Sequence, residues 1–164
     1  MTQVLQIAAV LHDVRSVHNV GSIFRTADAA GVHAIYLCGI TPTPLDRFKE
    51  VRQDFAKVSL GAEKTVAWKH VSETAAAITE LRKSGYEIFA IEQSKKSVPY
   101  YSLRKKNIGA KKIALMVGNE VEGIPQPLLA LCDGILEIPM RGEKESLNVS
   151  VAFGVVAFNL RDRV

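Results

Sequence analysis

Six short apolar runs punctuate the chain: VLQIAAVL (4–11), AIYLCG (34–39), TVAWKHV (65–71), EIFAIEQ (87–93), KIALMVG (112–118) and GILEIPM (134–140). Each is rich in Val, Ile, Leu or aromatics and short for a helix, the signature of buried strands. Helical spacing fills several gaps between them. Gly21–Ala30 stops at Gly31, and Ser72–Ser84 opens on Ser-x-x-Ala rather than a full capping box and stops at Gly85. Pro125–Leu131 suits a helix started by proline, and Leu147–Arg161 is the long last one. This alternation predicts an α/β domain with a mostly parallel sheet flanked by helices, in which ligands bind outside the carboxyl ends of the strands.

The last helix is apolar on two sides. Val149, Phe153, Val156 and Leu160 form one stripe, and Leu147, Val151, Val155 and Phe158 form another. One stripe serves the domain's own core; the other needs a second cover, most simply an identical subunit about a two-fold axis.

With 164 residues, 48% hydrophobic and 23% charged, the chain fits one soluble globular domain spanning 1–164, too short for a sizeable second domain. The net charge of +4 is local: seven basic residues and no acid lie between Lys95 and Lys112. A solvated face and a polyanion contact explain that segment equally well. Cys38 and Cys132 lie far apart in apolar runs, as buried thiols of a reducing compartment do. The first apolar run is short, interrupted by Gln6 and preceded by no basic leader, so neither a signal peptide nor a membrane span is expected, and the address is cytoplasmic.

Three strand ends carry polar, glycine-containing segments. After the first strand, Asn19, Gly21 and Arg25 open a helix on which Gly21 and Arg25 share a face, with Asn19 near its N-cap. Gly21 admits a close neighbour, and Arg25 offers a planar fork of donors to phosphate or carboxylate. After the fifth, Gly118 and Gly123 bracket Asn119, Glu120, Val121 and Glu122 in a sharp turn whose two glutamates argue against a phosphate cradle. After the sixth, Ser146 and Asn148 stand where the last helix begins, and one of them caps it. Taken singly, each segment is also an ordinary cap or turn.

Together, NVGSIFRTADAAGV, MVGNEVEG and IPMRGEKESLNVSVA resemble, in order, the three motifs of the SPOUT superfamily in its SpoU/TrmH branch of RNA ribose 2′-O-methyltransferases. The resemblance runs from about residue 10 to 160. It implies an α/β fold with a deep C-terminal trefoil knot, an exception to the rule that chains do not thread their loops. It also implies S-adenosylmethionine as cofactor, held by Leu115, Val117, Gly118, Ile138, Met140 and Leu147, with Asn19, Arg25, Glu120, Ser146 and Asn148 as the polar catalytic rim, a homodimer, and no metal. The branch assigns activation of the ribose hydroxyl to the first-motif arginine, here Arg25. A guanidinium stays protonated and has no lone pair, so Arg25 is expected to clamp an RNA phosphate and stabilise the developing alkoxide, with Asn19 and Glu120 orienting it.

RNA is the expected partner, met by Lys95, Lys96, Arg104 and Lys105 interleaved with Tyr100 and Tyr101, and more weakly by Arg47 and Arg52. Transfer RNA is favoured over ribosomal RNA, and AIEQSKKS resembles a segment of relatives that modify tRNA guanosine. A ribosomal RNA methyltransferase and a non-catalytic knotted RNA-binding or ribosome-assembly factor are the alternatives. The spacing of His12, His18, His33 and His70 matches no metal site.

Overall fold

A computed structural model of the chain describes residues 5–103 and 112–163. Its sheet has seven strands in the order β3-β2-β1-β6-β4-β7-β5, with every neighbouring pair parallel. They are β1 (Gln6–His12), β2 (Ala34–Cys38), β3 (Ala67–Val71), β4 (Glu87–Ile91), β5 (Val98–Pro99), β6 (Lys112–Val117) and β7 (Gly134–Glu137). Six overlap the apolar runs, most of them shorter by one to three residues, while β1 reaches on to His12. The two-residue β5 was not anticipated; it is too short to leave a periodic trace.

Strand pleating divides the core in two. Ile7, Ala9 and Leu11 of β1 and Ile113, Leu115 and Val117 of β6 face one layer, while Ala8, Val10, Ala114 and Met116 face the other. The first layer is covered by α1 (Val17–Ala29), α2 (Gln53–Ser59), α3 (Ala62–Thr65) and α6 (Val149–Arg163). The second is covered by α4 (Thr74–Lys83) and α5 (Gln126–Leu129). α2 and α3 lie in a segment whose charges hide their period. Phe55 of α2 is fully buried and meets Phe24 of α1 edge-on, with ring centroids 5.2 Å apart. A Cβ on Gly21 would sit 3.0 Å from Cβ of Val58. The close neighbour that Gly21 admits is therefore helix α2, not a ligand.

Helix ends shift one expectation and decide between the alternatives of another. α1 begins four residues before Gly21 because Ser16 caps it, its hydroxyl accepting the Asn19 N–H at 3.2 Å. Asn19 thus belongs to the first turn rather than to the cap. α6 begins after Asn148, whose side-chain oxygen accepts the Ser150 N–H at 2.9 Å, so Asn148 rather than Ser146 caps this helix. At the other end of α6, Arg161 donates to the backbone carbonyls of Leu5, Ala30 and Gly31. The stripe of Phe153, Val156 and Leu160 enters the core, whereas Leu147, Val151 and Phe158 keep 41–50% exposure in the single chain. Among the described residues no helix is long and apolar enough to cross a membrane.

Candidate active site

A cavity of about 300 Å³ opens where the carboxyl ends of β4, β6 and β7 meet the start of α6. This is the position that parallel-sheet geometry favours for ligands. Val117 and Gly118 form its floor, and Ile138, Met140 and Leu147 its apolar wall. Leu115, expected among them, does not line it: two residues earlier on β6, its side chain is fully buried in the layer under α1 and α6. At Gly118 a side chain is sterically barred, since a Cβ would lie 2.5 Å from the carbonyl carbon of Gly123.

The loop after β6 is braced from within. Asn119 pairs with Gly123 in a bridge, accepts the N–H groups of Val121 and Glu122 on its side-chain oxygen, and donates its amide to the Asp13 carbonyl at 2.9 Å. Beside it lies a wall missed in the sequence. Glu92 accepts the N–H groups of Gln93 and Ile124 at 2.8 and 3.1 Å, and Gln93 donates to the Glu145 carbonyl at 2.5 Å. These two residues thus tie the end of β4 to both loops that frame the cavity. Their one sequence signal is that two polar residues directly follow a buried strand.

Glu120 joins the first motif to the second. One carboxylate oxygen accepts the Ser16 N–H at 3.0 Å and the Asn19 amide at 3.1 Å; the other accepts the Arg15 N–H at 3.0 Å. The Asn19 oxygen in turn accepts the Asn148 amide at 3.0 Å, which brings in the third motif. Partial burial pushes the Glu120 carboxyl up, but the Arg15 N–H, the Asn19 amide and the Ser16 N–H together outweigh it and hold the group below the ordinary carboxylate range. At neutral pH Glu120 is an anion with both oxygens engaged. It organises the site and is badly placed to take a further proton.

Ser146 lines the cavity near Asn148. Arg25 does not. It is exposed on α1, in a separate surface depression with His18, Lys57 and Phe158, and makes no hydrogen bond to a described residue. The expectation that Asn19 and Glu120 orient Arg25 within one chain is therefore not met. Among the described residues no Lys, Arg or His lines the main cavity, while Glu92, Glu120 and Glu137 do. This donor set disfavours an anion and suits a ligand with an apolar body and a positive centre. Among the described residues no cluster of His, Cys, Asp or Glu is arranged to hold a metal ion.

Of the residues expected to meet RNA, Lys95 and Lys96 are exposed just after β4. Tyr101 is exposed, but Tyr100 is half-buried against the core, its ring meeting Tyr101 edge-on at 5.3 Å. Tyr100 therefore offers little face for stacking. Arg104 and Lys105 lie outside the described residues. Arg47 is exposed, and Arg52 is held by a two-point contact with Asp54. Both cysteines are free, and burial pushes their thiols up to about 12 for Cys38 and about 11 for Cys132.

Residues 6–158 match the SpoU rRNA Methylase family, and the chain belongs to it. It is 37% identical over 149 residues to the 23S rRNA (guanosine-2′-O-)-methyltransferase RlmB of Ralstonia nicotianae, covering 91% of this chain and 55% of that protein. RlmB of Escherichia coli K12 is 34% identical, with 91% and 57% covered. The chain thus spans about half the length of the curated relatives it matches. Among solved structures, an AdoMet-bound rRNA methyltransferase from Sinorhizobium meliloti superposes with a TM-score of 0.85 at 29% identity, covering 98% of this chain and 57% of that one. A structure concerning 2-OH methylation on tRNA superposes with a TM-score of 0.77 at 26% identity, covering 96% and 98%.

Proposed function

We propose that the chain is an S-adenosylmethionine-dependent RNA ribose 2′-O-methyltransferase acting on ribosomal RNA. The observation that carries this reading is the Glu120–Asn19–Asn148 bridge, which joins the three motif segments at the rim of a cavity that no basic residue lines among those described. The cofactor, when bound, supplies a methyl group on a sulfonium centre. Ile138, Met140 and Leu147 would cover its apolar parts, and the backbone around Val117 and Gly118, bare of side chain at Gly118, would approach it closely. The acidic lining would tolerate its positive charge. The loop that returns from β7 to α6 is where the knot of the family would close around this cavity.

The hydroxyl must be aligned with the methyl group and must lose a proton. Glu120 is saturated with donors, so it serves to fix Asn19 and Asn148, whose amides would orient the ribose. Arg25 would clamp a phosphate next to the reacting ribose and stabilise the developing alkoxide, with that phosphate or solvent taking the proton. In one chain Arg25 is out of place for this, and a homodimer would bring it there. The exposed stripe of α6 runs from Leu147 beside the cavity to Phe158 beside Arg25. Leu147 precedes the helix, and within α6 Val151 and Phe158 are about 10 Å apart at a rise of 1.5 Å per residue. Two copies packed antiparallel on this stripe would set the Arg25 end of one against the cavity end of the other.

Ribosomal RNA replaces the tRNA preference expected earlier because the curated relatives named above are 23S rRNA enzymes. The match across nearly the whole of a tRNA-related structure keeps tRNA as the second reading. The deciding experiment is transfer of labelled methyl to unmodified ribosomal RNA and, separately, to tRNA, with cofactor affinity measured by calorimetry. Label on ribose in ribosomal RNA supports the proposal, label in tRNA alone moves the substrate, and cofactor binding without transfer to either pool favours a non-catalytic RNA-binding protein.

A further inference from the structure

The loop between β2 and α2 exposes a large aromatic that the site described above does not use. Phe48 is 69% exposed at the tip of residues 44–52, yet that tip is built rather than loose. Leu45 and Val51 form an antiparallel bridge, and the Arg52 N–H donates to the Pro44 carbonyl at 2.9 Å. Inside this frame the Asp46 carboxylate accepts the N–H groups of Phe48 and Glu50 at 2.7 and 3.0 Å. Lys49 takes a left-handed conformation, φ 64°, to complete the turn. A chain that spends its acid on bracing the turn in this way fixes the direction in which Phe48 projects.

Charge identifies what fits against that ring. The Arg47 guanidinium lies 4.7 Å from the ring centroid, and Lys49 follows Phe48 directly. Asp46 and Glu50 temper these charges, Asp46 with one oxygen held by two backbone N–H groups, but neither forms an ion pair with Arg47 or Lys49, and Arg52 is engaged by Asp54. The tip thus pairs an aromatic face with cations that have no partner acid among the described residues. Every nucleobase has a π-face, and each carries a phosphate beside it, so an unpaired nucleotide satisfies both features at once. The loop also leaves the carboxyl end of β2, on the sheet edge where the cavity opens.

We propose that Phe48 is a stacking platform for an unpaired base of the substrate RNA, with Arg47 and Lys49 holding the adjoining phosphates. The inference rests on the RNA reading above and adds a preference for single-stranded or looped RNA over uninterrupted duplex. It is tested by fluorescence anisotropy with a labelled single-stranded oligoribonucleotide and the same sequence in duplex. Wild type, Phe48→Ala, Phe48→Trp and Arg47→Ala are compared, with S-adenosylmethionine affinity as the check on folding. Removing one stacked base should weaken single-strand binding roughly 5- to 150-fold. Phe48→Trp should restore it, Arg47→Ala should flatten its salt dependence, and in the two Phe48 variants duplex and cofactor binding should stay within twofold. If wild type binds the single strand and Phe48→Ala binds it equally well, the platform is refuted while the RNA reading stands. If wild type binds neither RNA yet binds cofactor, the RNA reading itself has failed. If Phe48→Ala changes only the sedimentation of the protein, the ring packs against a second copy and the proposal is wrong.

Discussion

The surroundings of Glu120 and of Arg25 differ in one respect that organises the molecule. Glu120 is saturated: two backbone N–H groups and the Asn19 amide fill its oxygens. Arg25, eight residues from its own helix start, has five donors and no acceptor among the described residues, in a depression shared with Lys57 and His18. A satisfied group maintains a shape, whereas an unsatisfied one waits for a ligand. The first motif therefore divides its labour, with Asn19 turned inward to wiring and Arg25 turned outward to whatever docks.

Breaking the outward half should cost most activity and least stability. Arg25→Ala is expected to lower methyl transfer by about 10²- to 10³-fold, the loss typical of removing one charge-stabilising donor, with unchanged melting temperature and cofactor affinity. Mixing it with Asn148→Ala should restore part of the activity if sites are shared between subunits, and none if each chain works alone. A charge in the exposed stripe, Phe158→Asp, should leave the single chain folded while shifting sedimentation towards monomer and reducing transfer.

Breaking the inward half should show first in stability. Glu120→Ala strands three donors and is expected to cost about 1–2 kcal/mol, at the low end for a charged hydrogen-bonded group because this one is partly exposed, as thermal or urea unfolding would report. Glu120→Gln sharpens the point through pH. The folded carboxyl titrates below its unfolded value, so its stabilisation is full above the ordinary glutamate range and is lost as pH falls through the depressed folded value. The acid limb of unfolding should therefore be flatter in Glu120→Gln than in wild type. The smallest effect is expected from Asn148→Ala, about 1 kcal/mol for a lost helix cap, seen as a shift in denaturation midpoint.

Much of this was legible before any coordinates. The apolar runs located six strands because buried parallel strands are nearly continuous in hydrophobicity. The three motif loops lay at strand ends, and five of the six residues expected to form the cofactor wall line the cavity. Leu115 failed because it lies two residues short of the strand end: it shares a face with Val117 but is already buried under the helices, before the cavity begins. α2 and α3 were hidden because they are short and their charges keep to no single face: Asp54, Lys57 and Lys64 are exposed, but Glu63 is buried and accepts from the Ser59 hydroxyl. Glu92 and Gln93 were passed over because their roles depend on Ile124 and Glu145, partners supplied by distant loops. The separation of Arg25 from Glu120 was illegible for a related reason: sequence order shows that residues share a motif, not which way each leaves its helix.

The Asn19–Asn148 bond spans 129 positions of chain. A ribosome adding about 5–20 residues per second needs roughly 6–26 s to cover that distance, so the first motif helix is made long before its counterpart exists. Through that interval the Asn19 side chain has neither Glu120 nor Asn148 to meet. The rim that joins the three motif segments therefore cannot assemble until Asn148 has been made, however early its first residues appear.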